Sequence, residues 1–234
     1  GQRSIDGVPA ILSSFPSLME TPYLSSPYVG NDLESIASLL KKEGYSTAFF
    51  HGGKNGTMGL EAYTRVVGFD KYYGMSEYGN DDDFDGNWGI FDEPFLQYTA
   101  DMAGNMPQPF CITTFTLSSH HPYTIPDKYK GKFRKGSLDI QESVMYADFA
   151  LAQYFKKVEK EPWFENTLFV LTADHCSQGH HPFFTSRIGQ YSIPIVFYNA
   201  RENWDTLSLE IAQQTDILPS IMDYLGIDQE IVSF

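Results

Sequence analysis

The chain has 234 residues, 42% of them apolar, which is enough to bury the core of an α/β domain and excludes a disordered chain. A formal charge of −14 excludes a nucleic-acid backbone as partner, because the clustered Lys and Arg that phosphates demand are missing. No run approaches the roughly 18 apolar residues of a membrane span, and GQRSIDGVPAIL lacks a signal peptide's basic start and long apolar run.

SIDGVPAILSSFPSL begins directly in motif-like sequence with no strand before it, so a fragment of a longer protein, N-terminally incomplete, is expected. After a loop rich in Ser and Pro, Asn31 or Asp32 is expected to cap a helix whose apolar residues Leu33, Ile36, Leu39 and Leu40 recur at helical spacing, ending at Gly44. YSTAFF at 45–50 reads as a buried strand, and residues 60–67 as a short helix. GNDDDFDGNWG is a loop by composition. Its Asp81–Asp85 run lacks the downstream Glu of an EF-hand and reads as a solvated acidic turn. Residues 91–104 read as helix and PFCITTFTL at 109–117 as a strand that runs into SSHHPYTIP. A long helix over 139–160 precedes two more strands, TLFVLTADH at 167–175 and SIPIVFY at 192–198. The stretch TDILPSIMDYLGI is helical, with Pro219 near its first turn. Cys111 and Cys176 form either two thiols or one disulfide.

Strands alternating with helices predict an α/β fold with a mostly parallel central sheet flanked by helices on both faces. No internal repeat or linker divides it, so residues 1–234 are expected to form a single domain. Ligands of such sheets bind at the carboxyl ends of strands. All six histidines fall there: His51 after TAFF, His120 and His121 after TTFTLSS, and His175, His180 and His181 after FVLTA. Asp174-His175 places a carboxylate and an imidazole where the backbone turns, and both can reach one divalent cation. Ser4 precedes an apolar stretch at a loop-to-helix junction, where helix NH groups would face an anionic ester; its hydroxyl needs a base or a metal to become a nucleophile. No GxSxG elbow or ordered triad appears, which disfavours acyl transfer.

In order along the chain, GQRSIDGVPAIL, the unit ending in AFFHGG, GFDKYYG, the strand ending in TLSSHHPY, VLTADH, SIPIVFY and TDILPSIMDYLGI resemble one family. It is the sulfatase-like branch of the alkaline phosphatase superfamily, and within it the extracellular domain of lipoteichoic acid synthase. The resemblance spans nearly the whole chain and implies that fold. By position, Ser4 resembles the family's Thr or Ser nucleophile, which also ligates the metal, and Asp174 and His175 resemble two further ligands. His120, in a His-x-Pro loop, resembles the histidine that contacts substrate or leaving group, and His51 resembles another substrate-pocket histidine. His180 and His181 lie in a loop of variable spacing, with His181 assigned to substrate binding. The implied cofactor is a divalent metal, Mn²⁺, Mg²⁺ or Zn²⁺. The implied substrate is a phosphate or sulfate ester, with a lipid headgroup or glycan as its carrier. The resemblance also implies an extracytoplasmic location and a tether of upstream membrane helices.

Three departures refine this. Ser4 is followed by Ile-Asp-Gly-Val rather than the C/S-x-P-x-R pattern of formylglycine sulfatases, so an unmodified hydroxyl suited to phosphoryl transfer is expected. Lipoteichoic acid synthases place Trp and Arg where this chain has Met58 and Leu60, removing a bidentate phosphate partner. The family's first acidic metal ligand precedes the nucleophile on a strand that this chain does not include, so an incomplete metal site is expected. The expected activity is metal-dependent transfer or hydrolysis of phosphate or sulfate esters through a serine nucleophile, like that of phosphoglycerol transferases of the lipoteichoic acid synthase type. Sulfuric ester hydrolysis is the enzymatic alternative. A non-catalytic protein binding an anionic glycan or headgroup is the alternative of another class.

Overall fold

A computed structural model of the chain describes residues 3–177 and 179–233. Its helices and strands run α1 (Ser4–Ser13), α2 (Ile36–Lys42), β1 (Ser46–His51), α3 (Leu60–Val66), β2 (Lys71–Tyr73) and α4 (Met75–Tyr78). They continue as α5 (Asp92–Gly104), β3 (Phe110–Phe115), α6 (Ile140–Val158), β4 (Phe169–Thr172), β5 (Ile195–Tyr198) and α7 (Ile217–Tyr224). The chain packs as two compact units, one made of residues 44–65 and 69–164, the other of residues 1–43, 66–68 and 165–234.

The first unit is built on a parallel sheet in the order β2-β1-β3. Five of the six residues of β1 are fully buried, as expected of a parallel strand covered on both faces. Ala48 and Phe50 pack with Ile90 and Phe95, and Tyr73 stacks on Phe50 with ring centroids 4.6 Å apart. The short strand β2 escaped the sequence reading; the Thr47 hydroxyl and amide both donate to Asp70, which locks the chain just before it into register. α5 and α6 belong to the same unit, joined by the Lys157 ammonium on Asp101 at 2.6 Å.

In the second unit the N-cap of α2 is Ser35, not Asn31 or Asp32. Its hydroxyl accepts from the Ala37 and Ser38 amides while Ser38 caps back, a reciprocal box that outcompetes the earlier candidates. The Ser35 hydroxyl also donates to the Val67 carbonyl at 2.6 Å, anchoring the helix start to the 66–68 segment. β5, expected to join a mostly parallel sheet, pairs antiparallel with β4. Its residues alternate between half-buried and exposed, and the described residues of 173–194 supply a short 3-10 turn rather than the helix that a parallel crossover ordinarily uses. α7 buries Ile217, Leu218, Ile221 and Met222 along one face, and Pro219 sits in its first turn, where a missing N–H costs nothing. Cys111 and Cys176 are both free thiols.

Candidate functional site

Ser4 is the first helical residue of α1, with Arg3 as N-cap. One turn on, Gly7 touches the end of β4 so closely that a Cβ there would stand 2.3 Å from the Asp174 carbonyl oxygen. Ser4 and Gly7 are three apart and share a helix face, so the serine is carried one turn N-terminal of the contact with Asp174. The Gln214 amide donates to the Ala173 and Asp174 carbonyls at 3.0 and 2.8 Å, and the Ser14 hydroxyl donates to Thr215 at 2.7 Å. The segment ahead of α7 thereby holds both the strand end and the far end of α1. Asp6 is buried and tied to Arg3 at 2.8 Å and to Ser17 at 3.0 Å, which stiffens the helix start.

At the strand end, the Asp174 Oδ1 accepts the His175 amide at 2.9 Å. The His175 Nδ1 lies 2.7 Å from the Cys176 carbonyl oxygen. A carbonyl can only accept, so Nδ1 carries the proton and the Nε2 lone pair is left available. That Nε2 stands 3.6 Å from Asp174 Oδ2. Two ligand atoms about 2.1 Å from one tetrahedral cation are about 3.4 Å apart, so the pair fits a divalent metal, and the Cys176 carbonyl plays the orienting part that metal-bound histidines ordinarily require. Among the described residues no three His, Cys, Asp or Glu side chains gather, so a further protein donor would be of another type, such as a hydroxyl. His181 is exposed in the following loop, its Nδ1 accepting the Phe183 amide at 3.2 Å, and His180 is exposed beside it.

The other unit carries His51 and His120. His51 ends β1, entirely buried, stacked on Phe115 at 5.4 Å, with Nδ1 3.0 Å from the Tyr72 hydroxyl. Its Nε2 is buried with no hydrogen-bond partner among the described residues. Burial pushes the imidazole down from 6.5 to about 4. Between those two pH values the unfolded chain holds a proton that the folded one refuses, so stability is expected to fall as pH drops through that window and to level off below it. The His51 contribution is about 3 kcal/mol. Urea unfolding at pH 7 and pH 4 checks it: the loss should shrink in His51→Gln, and equal losses in both proteins would refute this account.

His120 is exposed in the turn after β3, its Nδ1 2.8 Å from the His121 carbonyl and its ring against Trp88 with centroids 4.2 Å apart. Trp88 in turn donates its indole N–H to the His121 carbonyl at 2.6 Å. The acidic loop is what presents this tryptophan: Asp85 Oδ1 accepts the Asn87, Trp88 and Gly89 amides at 2.7, 2.7 and 3.1 Å. Leu60 is fully buried at the start of α3, so it packs the core rather than facing a ligand. Gly7, Gln214, Trp88 and Asp92 carry no functional role in the sequence analysis. The adjacency of GNWG and DE to a predicted helix start was the only signal for the last of these.

Parallel strands among helices, with polar residues following the strand ends, define an α/β protein. The chain belongs to the sulfatase family, whose family model matches residues 1–227. It is 25% identical over 216 residues to lipoteichoic acid synthase 2 of Bacillus subtilis, covering 85% of this chain and 33% of that protein. The chain thus spans about a third of the length of the curated relatives it matches. A solved alkaline phosphatase superfamily protein from Vibrio parahaemolyticus superposes with a TM-score of 0.85 at 26% identity, over 98% of this chain and 56% of that one. The lipoteichoic acid synthase LtaP of Listeria monocytogenes superposes at 0.87 and 22% identity, over 99% and 62%. The fold extends, at 18% and 13% identity, to a zinc complex of the periplasmic domain of Escherichia coli EcEptC (TM-score 0.61, 94% and 67% covered) and to the Streptococcus pyogenes phosphoglycerol transferase GacH bound to sn-glycerol-1-phosphate (0.64, 94% and 60%).

Proposed function

We propose that residues 1–234 form a single catalytic domain, part of a longer membrane-anchored protein, that transfers or hydrolyses phosphate esters through Ser4. The observation that carries this reading is the first turn of α1 pressed against Asp174, whose neighbour His175 is held in the tautomer a metal ligand needs. Asp174, His175 and the Ser4 hydroxyl are assigned to a divalent cation, Mn²⁺, Mg²⁺ or Zn²⁺. When bound, that cation supplies charge neutralisation and lowers the pKa of a coordinated hydroxyl. The Ser4 oxygen, its proton released to solvent, attacks phosphorus and forms a phosphoserine as the P–O bond to the leaving group breaks. Proton donation to the departing alkoxide is assigned to His120 and contact with the substrate to His181, whereas His51, entirely buried, is a core residue of its own unit. Water or an acceptor hydroxyl then attacks the phosphoserine and restores Ser4.

A phospholipid headgroup or a phosphorylated glycan is the substrate class. Support comes from the lipoteichoic acid synthase relatives and from the glycerol phosphate held by GacH. The EcEptC domain is periplasmic, and the same extracytoplasmic face is proposed for this chain. Sulfate-ester hydrolysis is the runner-up, favoured by the family's description alone.

The test is turnover of aryl phosphodiester, phosphomonoester and sulfate esters with and without Mn²⁺, beside Ser4→Ala. Loss of phosphoester turnover by at least about 1,000-fold in Ser4→Ala is expected. Full turnover in that variant would sink the mechanism, and preferential sulfate cleavage would move the assignment to a sulfatase.

A further inference from the structure

We propose that Asp92 is a positioning residue for this reaction: its Oδ1 holds the turn that carries His120. The inference deepens the function proposed above and rests on the role given there to His120.

Asp92 opens α5 with only 1% of its surface exposed. One carboxylate oxygen accepts both the Leu117 and Ser118 amides at 2.9 Å, and the Ser118 hydroxyl accepts the Asp92 amide at 3.0 Å. These three bonds clasp the helix start to the turn after β3. That turn closes when the His120 amide donates to the Leu117 carbonyl at 3.0 Å, so His120 stands two residues beyond the clasp. The next residue along, Glu93, grips the far side of the same loop. Both its oxygens accept the Tyr129 hydroxyl at 2.8 Å, and Lys128 pairs with it at 2.9 Å. Two adjacent carboxylates thus hold the loop at 117–118 and at 128–129, while Trp88 braces His120 and His121 between them.

The clasp is not an efficient stabiliser of the fold. Asp92 Oδ2 is buried without a hydrogen bond among the described residues, and burial raises the carboxyl above its ordinary range. An unpartnered buried polar oxygen works against stability. What the arrangement provides instead is a rigid turn whose two amides converge on a single acceptor.

Three variants of the full chain test this. Asp92→Ala removes the acceptor, and kcat is expected to fall about 100-fold with little change in KM, the loss a displacement of about 1 Å brings. Asp92→Asn keeps a carbonyl at the Oδ1 position and should recover most of that loss. Ser118→Ala, a gentler variant should Asp92→Ala fail to fold, removes one of the three bonds and should cost about tenfold in kcat. A structural readout runs beside these: the nuclear Overhauser contact between the His120 and Trp88 rings should vanish in Asp92→Ala, weaken in Ser118→Ala and persist in Asp92→Asn. Folded Asp92→Ala or Ser118→Ala protein that keeps both the ring contact and kcat would overturn the inference. So would Asp92→Asn protein that loses both. If Ser4→Ala retains turnover, the proposed mechanism fails, and the ring contact alone still decides whether Asp92 sets His120.

Discussion

Replacing His175 by Ala is expected to weaken Mn²⁺ or Zn²⁺ binding by at least about 100-fold, since even the loss of an outer partner of a metal-bound histidine costs 10- to 100-fold. Ester turnover should fall with it. The expectation follows from the tautomer: with Nδ1 spent on the Cys176 carbonyl, Nε2 is the one ring atom that can bind, and it already stands 3.6 Å from the Asp174 carboxylate. Asp174→Ala should have an effect of the same size, because either change leaves a single donor at the strand end. His181→Ala serves as the contrast. His181 lies on an exposed loop with its Nδ1 occupied by the Phe183 amide, so its loss should raise KM without loosening the metal. Calorimetric titration of each variant with Zn²⁺, together with kinetics at saturating metal, separates these effects. Zn²⁺ binding unchanged in both Asp174→Ala and His175→Ala would remove the metal from this strand end.

How far this site could be read beforehand depended on the kind of signal each residue leaves. The position of Asp174-His175 just past a strand was legible because an apolar run leads directly into two polar residues at a turn. Ser4 was legible as a helix start because an apolar run follows it. Asp92 was not, since an acid in the first turn of a helix is ordinary and its partners Leu117 and Ser118 lie 25 and 26 residues further on. Gln214 gave no sign either: an amide that satisfies two carbonyls about 40 residues away in sequence leaves no periodicity. The antiparallel pairing of β5 was missed for a different reason. Its composition matched a buried strand, but direction is set by the connection, and the described residues of 173–194 contain no crossover helix. The cap of α2 moved from Asn31 or Asp32 to Ser35 because capping is decided by which hydroxyl meets the N2 and N3 amides, and several polar residues preceded that helix.

Gly7→Ala should abolish most activity while leaving most stability, a split that few glycine substitutions show. Within a helix the change from Gly to Ala ordinarily stabilises by about 1 kcal/mol. Here the new methyl would meet the Asp174 carbonyl oxygen at 2.3 Å, its carbon at 3.1 Å and its Cα at 3.2 Å, all backbone atoms with no rotamer to yield. Relief requires the start of α1 and the end of β4 to separate by about 1 Å, and overpacking of this kind costs about 1–3 kcal/mol. The two terms offset, so a net loss of at most about 2 kcal/mol is expected from urea unfolding. The same separation acts directly on the proposed donors, because Ser4 rides one turn from Gly7 and Asp174 is the residue pushed. Asp174 cannot simply follow the helix outward, as its carbonyl is also held by Gln214 at 2.8 Å. A displacement of about 1 Å in a reacting group costs about 100-fold in rate, so kcat should fall by that order. Gly7→Ala protein with wild-type kcat and Zn²⁺ affinity would show that the distance from α1 to β4 does not set the reaction, and would separate Ser4 from the Asp174-His175 pair.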